Sequence, residues 1–308
     1  MRIRQEIQAL PRPGCLTSRP ALKASTCRAD ALANLTETFE LSGIENPGRE
    51  ARLSVCAASG VSQAALIAAP RELLGAAALR VQQFAERRAA REPLSRIVGT
   101  REFWGLTLAI SPQVLDPRPE TESIVEVALA TIANQRDVSL RILDLGVGSG
   151  ALMCALLTEF ADARGVGVDI SIDAAKVARA NLDACGLSKR AEVRVGDWTT
   201  DVEGPFELIV SNPPYIPTAD LPRLPPEVRD FDPWIALDGG LDGLAAFRRI
   251  LPESRSLLTP RGWLLAELGA RQAADVTAIA NRCGFSDTIV YKDLGGLDRV
   301  LAAHSHLR

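Results

Sequence analysis

A chain of 308 residues, 47% hydrophobic and 24% charged, is long enough for about two domains and a sizeable core. Its net charge of −3 argues against retention on nucleic acid by bulk charge, and no apolar run approaches the roughly 20 residues that span a bilayer. The two histidines, His304 and His306, both lie in the C-terminal tail, which argues against Ser-His-Asp, Cys-His and His-rich metal chemistry.

The six cysteines are scattered without a C-x-x-C pair and read as buried or free thiols of a reducing cytosol, so no metal and a cytoplasmic location are expected. Residues 1–28 carry Arg2, Arg4, Arg12, Arg19, Lys23 and Arg28 against Glu6 alone, and prolines 11, 13 and 20 interrupt them. Such a start is compatible with an organelle transit peptide, but a disordered extension or an upstream start codon is the plainer expectation. From 29 to about 92 apolar residues recur at helical spacing, as in LLGAAALRVQQFAERRAA (73–90), which predicts a small domain of about four short helices. Its arginines alternate with Glu86, Glu92 and Glu102 and read as a solvated face more than as a nucleic-acid footprint.

The stretch 93–135 is expected to lead into the catalytic domain. REFWGLTLAIS (101–111) reads as a hairpin, and VLDPRPETE (114–122) as a proline-stiffened loop whose acidic end suits a helix starting near Thr121. Within 136–308 strands alternate with helices. The strands are expected at 141–146, 164–170, 191–197, 206–212, 262–268, 287–293 and 299–304, the helices at 150–159, 173–185, 242–258 and 271–283. This pattern predicts a doubly wound α/β sheet of seven strands. The last two strands have only the turn LGGLD between them and should pair antiparallel.

DLGVGSGA (144–151) leaves the first strand and opens the first helix. Gly146, Gly148 and Gly150, with Val147 and Ser149 between them, allow a tight turn and close approach of a ligand. The run also fits the G-x-G-x-x-G/A dinucleotide fingerprint. Asp169, 19 residues beyond Gly150, ends the second strand, where a carboxylate can accept from a ribose diol. The pair points to an adenosine nucleoside without choosing between nicotinamide and methyl-donor cofactors. The third strand ends in GDW (196–198), where Trp198 either stacks on adenine or caps the core and Asp197 can accept from the exocyclic amine.

The fourth strand ends in SNPPYIP (211–217). Prolines cannot donate to a ladder, so the strand stops at Asn212, and two rings stiffen the turn. With S-adenosylmethionine as cofactor that turn has a task. A planar NH2 is a poor nucleophile, so the useful contribution is positioning. The Asn212 side-chain oxygen and the Pro213 carbonyl can each accept one N–H, Pro213 and Pro214 hold these acceptors rigid, and Tyr215 supplies a wall. Such a clamp tightens as positive charge develops on the nitrogen.

The chain resembles the glutamine N5-methyltransferases that modify class 1 peptide chain release factors. The likeness covers roughly residues 40–304 and rests on REPLSRIVGTREFWGL (91–106), VLDPRPETE, DLGVGSGA, GVDIS (167–171), GDW, SNPPYIP and EVRDFDPWIALDGGLDGL (227–244). It implies a Rossmann-like seven-stranded methyltransferase sheet with a small N-terminal helical domain that helps to grip the partner. It also implies S-adenosyl-L-methionine as cofactor and the Gly-Gly-Gln loop of a release factor as substrate. Carried over, Gly146, Val147, Gly148, Ser149 and Gly150 surround the methionine part of the cofactor, Asp169 takes the ribose and Trp198 the adenine. Asn212 lies where cofactor and substrate meet, and Pro213, Pro214 and Tyr215 complete the glutamine pocket. Arg118 and Glu120 help to shape the site. Val147 stands where a threonine is common and Asp116 where the family often has an apolar residue; residues 1–26 have no counterpart.

A monomer is expected, with no direct nucleic-acid substrate and no membrane. The rival readings are a glutamine methyltransferase of a large-subunit ribosomal protein, whose loop looks more like PRSP, and a DNA or RNA amino-methyltransferase. From other classes, an NAD-dependent dehydrogenase leaves NPPY without a purpose, and a non-catalytic release-factor-binding module has no need of Asn212.

Overall fold

The computed structural model describes residues 21–132 and 140–305; the first 20 residues of the basic extension and His306 lie outside them. The chain divides into two compact units, one ending at Ala90 and the other starting at Arg91. In the first, α1 (Arg28–Leu41), α2 (Pro47–Ser59), α3 (Gln63–Ala68) and α4 (Ala78–Ala89) form a helical cluster. The buried positions follow a helical period: Ala31, Leu35 and Phe39 on α1, Ala51, Val55 and Ala58 on α2, Val81, Phe84 and Ala85 on α4. Cys27 Sγ accepts from the Asp30 amide and Ser62 Oγ from the Ala65 amide, capping the first turns of α1 and α3, and Pro47 opens α2 where its missing N–H costs nothing. Residues 21–28 depart from the expected disordered extension. The Leu22 N–H donates to Gln82 Oε1 at 3.1 Å, Arg28 N–H to Glu72 O and Leu74 N–H to Thr26 O, each at 2.9 Å, so these residues are tied into the helical unit.

The second unit begins with the short α5 (Leu94–Val98), the antiparallel hairpin of β1 (Thr100–Phe103) and β2 (Leu106–Ala109), and α6 (Glu122–Thr131). Only five residues long and preceded by Pro93, α5 is too short for a periodicity to announce it. The seven strands β3 (Arg141–Leu145), β4 (Arg164–Asp169), β5 (Ala191–Val195), β6 (Phe206–Ser211), β7 (Leu258–Glu267), β8 (Asp287–Lys292) and β9 (Asp298–His304) then form one sheet. Its order is β5-β4-β3-β6-β7-β9-β8, parallel except for β9, which runs antiparallel to both neighbours. The expected antiparallel pairing of the last two strands is therefore present. β7 starts four residues earlier than expected, and its register against β6 slips between the Phe206–Leu258 and Leu208–Trp263 pairs. The slip falls beside Pro260, which has no N–H for the ladder.

Successive residues alternate between two cores, as the period of 2 along a strand requires. Ile142, Leu208, Val210 and Leu265 face a core shared with α6, α7 (Ala151–Glu159) and α8 (Ile172–Ala184). Leu143, Ile209, Leu264 and Ala266 face one shared with α10 (Ala245–Leu257) and α11 (Ala273–Arg282), which follow the single-turn α9 (Pro226–Arg229). Chain order runs outward from β3 to β4 and β5, then returns to β6 on the other side of β3. The strand order thus reverses between β3 and β6, and their carboxyl ends flank the crevice in which open α/β sheets bind ligands. Among the described residues no helix is long and apolar enough to cross a membrane.

Candidate active site

The turn after β3 takes positive φ at Gly146 (76°), Gly148 (53°) and Gly150 (81°), a conformation that a side chain would strain. At Gly150 a Cβ would also come within 3.2 Å of the Ala178 backbone on α8, so this glycine sets helix packing. The others, with Val147 and Ser149, line a cavity of about 420 Å3 over the carboxyl edge of the sheet. That volume falls in the range of roughly 300–1,000 Å3 typical of small-molecule sites. Asp169 and Trp198 line it too, and Trp198 is held at φ 55° with its ring against Gly146.

Asp169 accepts from the Gly148 N–H through Oδ2 and from the Ser171 N–H through Oδ1, both at 2.8 Å, so it braces the glycine turn and still carries free lone pairs. Burial raises its carboxyl above the usual range, against those two donors. Asp197 does not point free, because Arg249 Nη1 pairs with it at 2.7 Å. Asp144 is the anomaly of the cavity. It is 1% exposed and neither of its oxygens has a well-formed hydrogen bond. Burial, then the charge of Asp169, push it up to about 7, with only the Met153 amide opposing.

A second cavity, about 190 Å3, adjoins the first and is lined by Pro213, Tyr215, Arg118 and Glu267 among others. Asn212 lines both cavities, whereas Pro214 lines only the larger. The Asn212 Nδ2 donates to Thr121 Oγ1 at 3.0 Å, and the Thr121 hydroxyl donates to Glu267 Oε2 at 2.6 Å. Tyr215 OH donates to Glu267 Oε1 at 3.0 Å. Burial raises the Glu267 carboxyl, while the two hydroxyls and the charge of Arg299 pull it back. Burial and Glu267 together push the Tyr215 phenol up, so it remains a neutral donor.

The turn itself is braced from behind. Gln272 Nε2 donates to Tyr215 O at 2.9 Å, Ile216 N–H to Leu237 O at 3.0 Å and Gly239 N–H to Ile216 O at 2.8 Å. A Cβ at Gly243 would stand 2.3 Å from Tyr215 O, which explains a glycine in the DGGLDGL run. Buried Asp232, from the RDFDP stretch, joins two further motifs. Its Oδ1 accepts from Arg96 Nη2 at 2.5 Å and its Oδ2 from Arg118. Asp116 is buried as well, accepting from Ser95 Oγ at 2.6 Å with Arg101 3.7 Å away, so the local partners suit an acid there.

Thr121, Glu267, Asp144, Arg249 and Asp232 went unassigned by sequence reasoning. Glu267 was within reach of it, since it ends a strand at the same carboxyl edge that singled out Asp169 and Asn212. Thr121 read only as a helix start, although its hydroxyl makes no cap bond to α6.

Comparison with known proteins identifies the family. Family models described as the PrmC N-terminal domain and the methyltransferase small domain match residues 30–99 and 125–221. A release factor glutamine methyltransferase of Rhodospirillum rubrum is 45% identical over 266 residues, covering 86% of this chain and 81% of its own. One from Bradyrhizobium diazoefficiens is 43% identical over 263 residues, covering 84% and 89%. Among solved structures the hMettl16 catalytic domain, in complex with the MAT2A 3'UTR hairpin 6, superimposes with a TM-score of 0.57. It is 19% identical and covers 73% of this chain and 82% of its own, a likeness of fold. With its seven-stranded sheet, its glycine-turn cavity and these relatives, the chain is an S-adenosyl-L-methionine-dependent methyltransferase and belongs to the release factor glutamine methyltransferase family.

Proposed function

We propose that the chain methylates the side-chain amide nitrogen (N5) of the glutamine in the Gly-Gly-Gln loop of class 1 peptide chain release factors, with Asn212 and Pro213 orienting that amide. The observation that carries the reading is the position of Asn212 at the junction of the two cavities, with its NH2 already engaged by Thr121. Its Oδ1 is then the end left to accept an N–H from the substrate amide.

The residues of the larger cavity fit the cofactor. Asp144, buried and unsatisfied at its wall, suits the cationic methionine end, Asp169 the ribose diol and Trp198 the adenine face. When bound, S-adenosylmethionine supplies a methyl carbon activated by a sulfonium. This chain's own residues bind and orient. Asn212 Oδ1 and the Pro213 carbonyl hold the two N–H bonds of the target, so that its nitrogen faces the larger cavity. Both acceptors bind more strongly as the nitrogen gains positive charge, and that difference lowers the barrier. The helical unit that ends at Ala90 is proposed to help hold the protein partner.

Methyl transfer from labelled S-adenosylmethionine to a purified class 1 release factor and to a glutamine-bearing large-subunit ribosomal protein tests the reading, with peptide mass mapping to place the label. Label on the Gly-Gly-Gln glutamine is expected; label on the ribosomal protein alone would move the partner and keep the chemistry.

Two binding results are expected as well. Asp169→Ala should weaken cofactor affinity by about 2–3 kcal/mol through lost charge-assisted hydrogen bonds. A dissociation constant unaltered in calorimetry would remove Asp169 from the ribose site. The second concerns pH. With Asp144 raised to about 7, the free protein holds it neutral below that pH and ionised above. A cation beside it favours the ionised form, so cofactor affinity should fall as pH drops through about 7, and binding there should release a proton. Calorimetry in buffers of different ionisation heat reads that proton directly, and its absence from wild type would remove Asp144 from contact with the cation.

A further inference from the structure

The Asn212 amide can be seated in two ways, and only one presents an oxygen to the reacting nitrogen. We infer that Thr121 and Glu267 form a hydroxyl–carboxylate relay that fixes this choice, which makes both of them positioning residues for methyl transfer. The inference rests on the role given to Asn212 above.

Both Glu267 oxygens accept, from the Thr121 hydroxyl at 2.6 Å and the Tyr215 hydroxyl at 3.0 Å. These two donors together with the charge of Arg299 favour its ionised form against burial. A threonine hydroxyl has one proton, and here it is committed to Glu267. Toward Asn212 the Thr121 oxygen can therefore only accept, which it does from Nδ2 at 3.0 Å. A flipped amide would set Oδ1 against Oγ1 with no hydrogen between them, or would take the Thr121 proton and leave a buried carboxylate oxygen short of a donor. Both alternatives are disfavoured because Thr121 is 5% exposed and Glu267 1% exposed, so water does not readily substitute. The preference of Glu267 is thus passed through one hydroxyl to the far end of the Asn212 amide. The same carboxylate holds the Tyr215 phenol, so one buried charge sets both the acceptor and the wall of the smaller cavity. The Thr121 hydroxyl has no capping bond to α6 that would explain it otherwise.

The test compares Thr121→Val, Thr121→Ser, Glu267→Gln and Asn212→Ala in the full-length protein, with S-adenosylmethionine and a purified class 1 release factor. Thr121→Val keeps the shape and removes the proton. It should lower kcat about tenfold, the loss that goes with one net hydrogen bond, with KM for the release factor and Kd for the cofactor within about twofold. Thr121→Ser restores the hydroxyl and should recover kcat to within about threefold of wild type. Glu267→Gln should also lower kcat, because a carboxamide can donate toward Thr121 and free its proton for Asn212 Oδ1. Wild-type kcat in either Thr121→Val or Glu267→Gln would overturn the relay, as would a serine variant as impaired as the valine one. Asn212→Ala separates the two levels. If it retains turnover the reading of Asn212 fails, whereas an inactive Asn212→Ala beside a fully active Thr121→Val sinks the relay alone.

Discussion

Asn212→Ala is expected to cut kcat by about a hundredfold or more while cofactor affinity stays within about twofold, the pattern of a lost transition-state contact. The residue directly follows β6 at the switch point and lines both cavities, so its removal deletes an acceptor at the proposed meeting point of substrate and cofactor. The larger cavity keeps the glycine turn, Asp169 and Trp198, none of which depends on the amide. The structural cost is modest, because one hydrogen bond to Thr121 is lost, worth about 1 kcal/mol. Single-turnover methyl transfer with calorimetry on the same protein separates the two quantities. Unchanged turnover would take Asn212 out of the mechanism, and a parallel loss of affinity would make it a cofactor ligand instead.

Interactions that are local in the chain show in its sequence, whereas those between distant residues exist only in the folded protein. The central strands β3 and β6 were legible because parallel strands buried on both faces read as apolar runs, as RILDL and FELIVS do. Asp169, Trp198 and Asn212 were legible because each lies at or just past the carboxyl end of a strand, which chain order alone specifies. Asp232 was not legible, since its partners Arg96 and Arg118 stand 136 and 114 residues away and no local rule connects them. Thr121 and Glu267, 146 residues apart, escaped for the same reason. The place of Asp197 in GDW shows that it can accept from an adenine amine, but its ion pair with Arg249 on α10 exists only in the folded chain.

Asp232→Ala is expected to destabilise the unit that starts at Arg91 by about 3–5 kcal/mol, the usual cost of removing one partner from a buried ion pair. The Asp232 side chain is 0% exposed and that of Arg96 3%, so little solvent is at hand to replace the lost carboxylate. Arg96 would keep only the Ser111 and Val114 carbonyls, and its Nε has no partner even with Asp232 in place. Arg118 would meanwhile lose its partner while facing a second cation, uncompensated. All four tryptophans of the chain, at 104, 198, 234 and 263, lie in this unit, so urea unfolding followed by tryptophan fluorescence reports it selectively. A loss below about 1 kcal/mol would mean that the pair behaves like a solvent-screened surface contact. The same variant carries a functional signature, because Arg118 lines the smaller cavity and Asp232 holds it there. KM for the release factor should therefore rise at temperatures where the variant is still folded, with the cofactor Kd unmoved. That split distinguishes an arginine freed at the smaller cavity from a general loosening of the fold, which would weaken both.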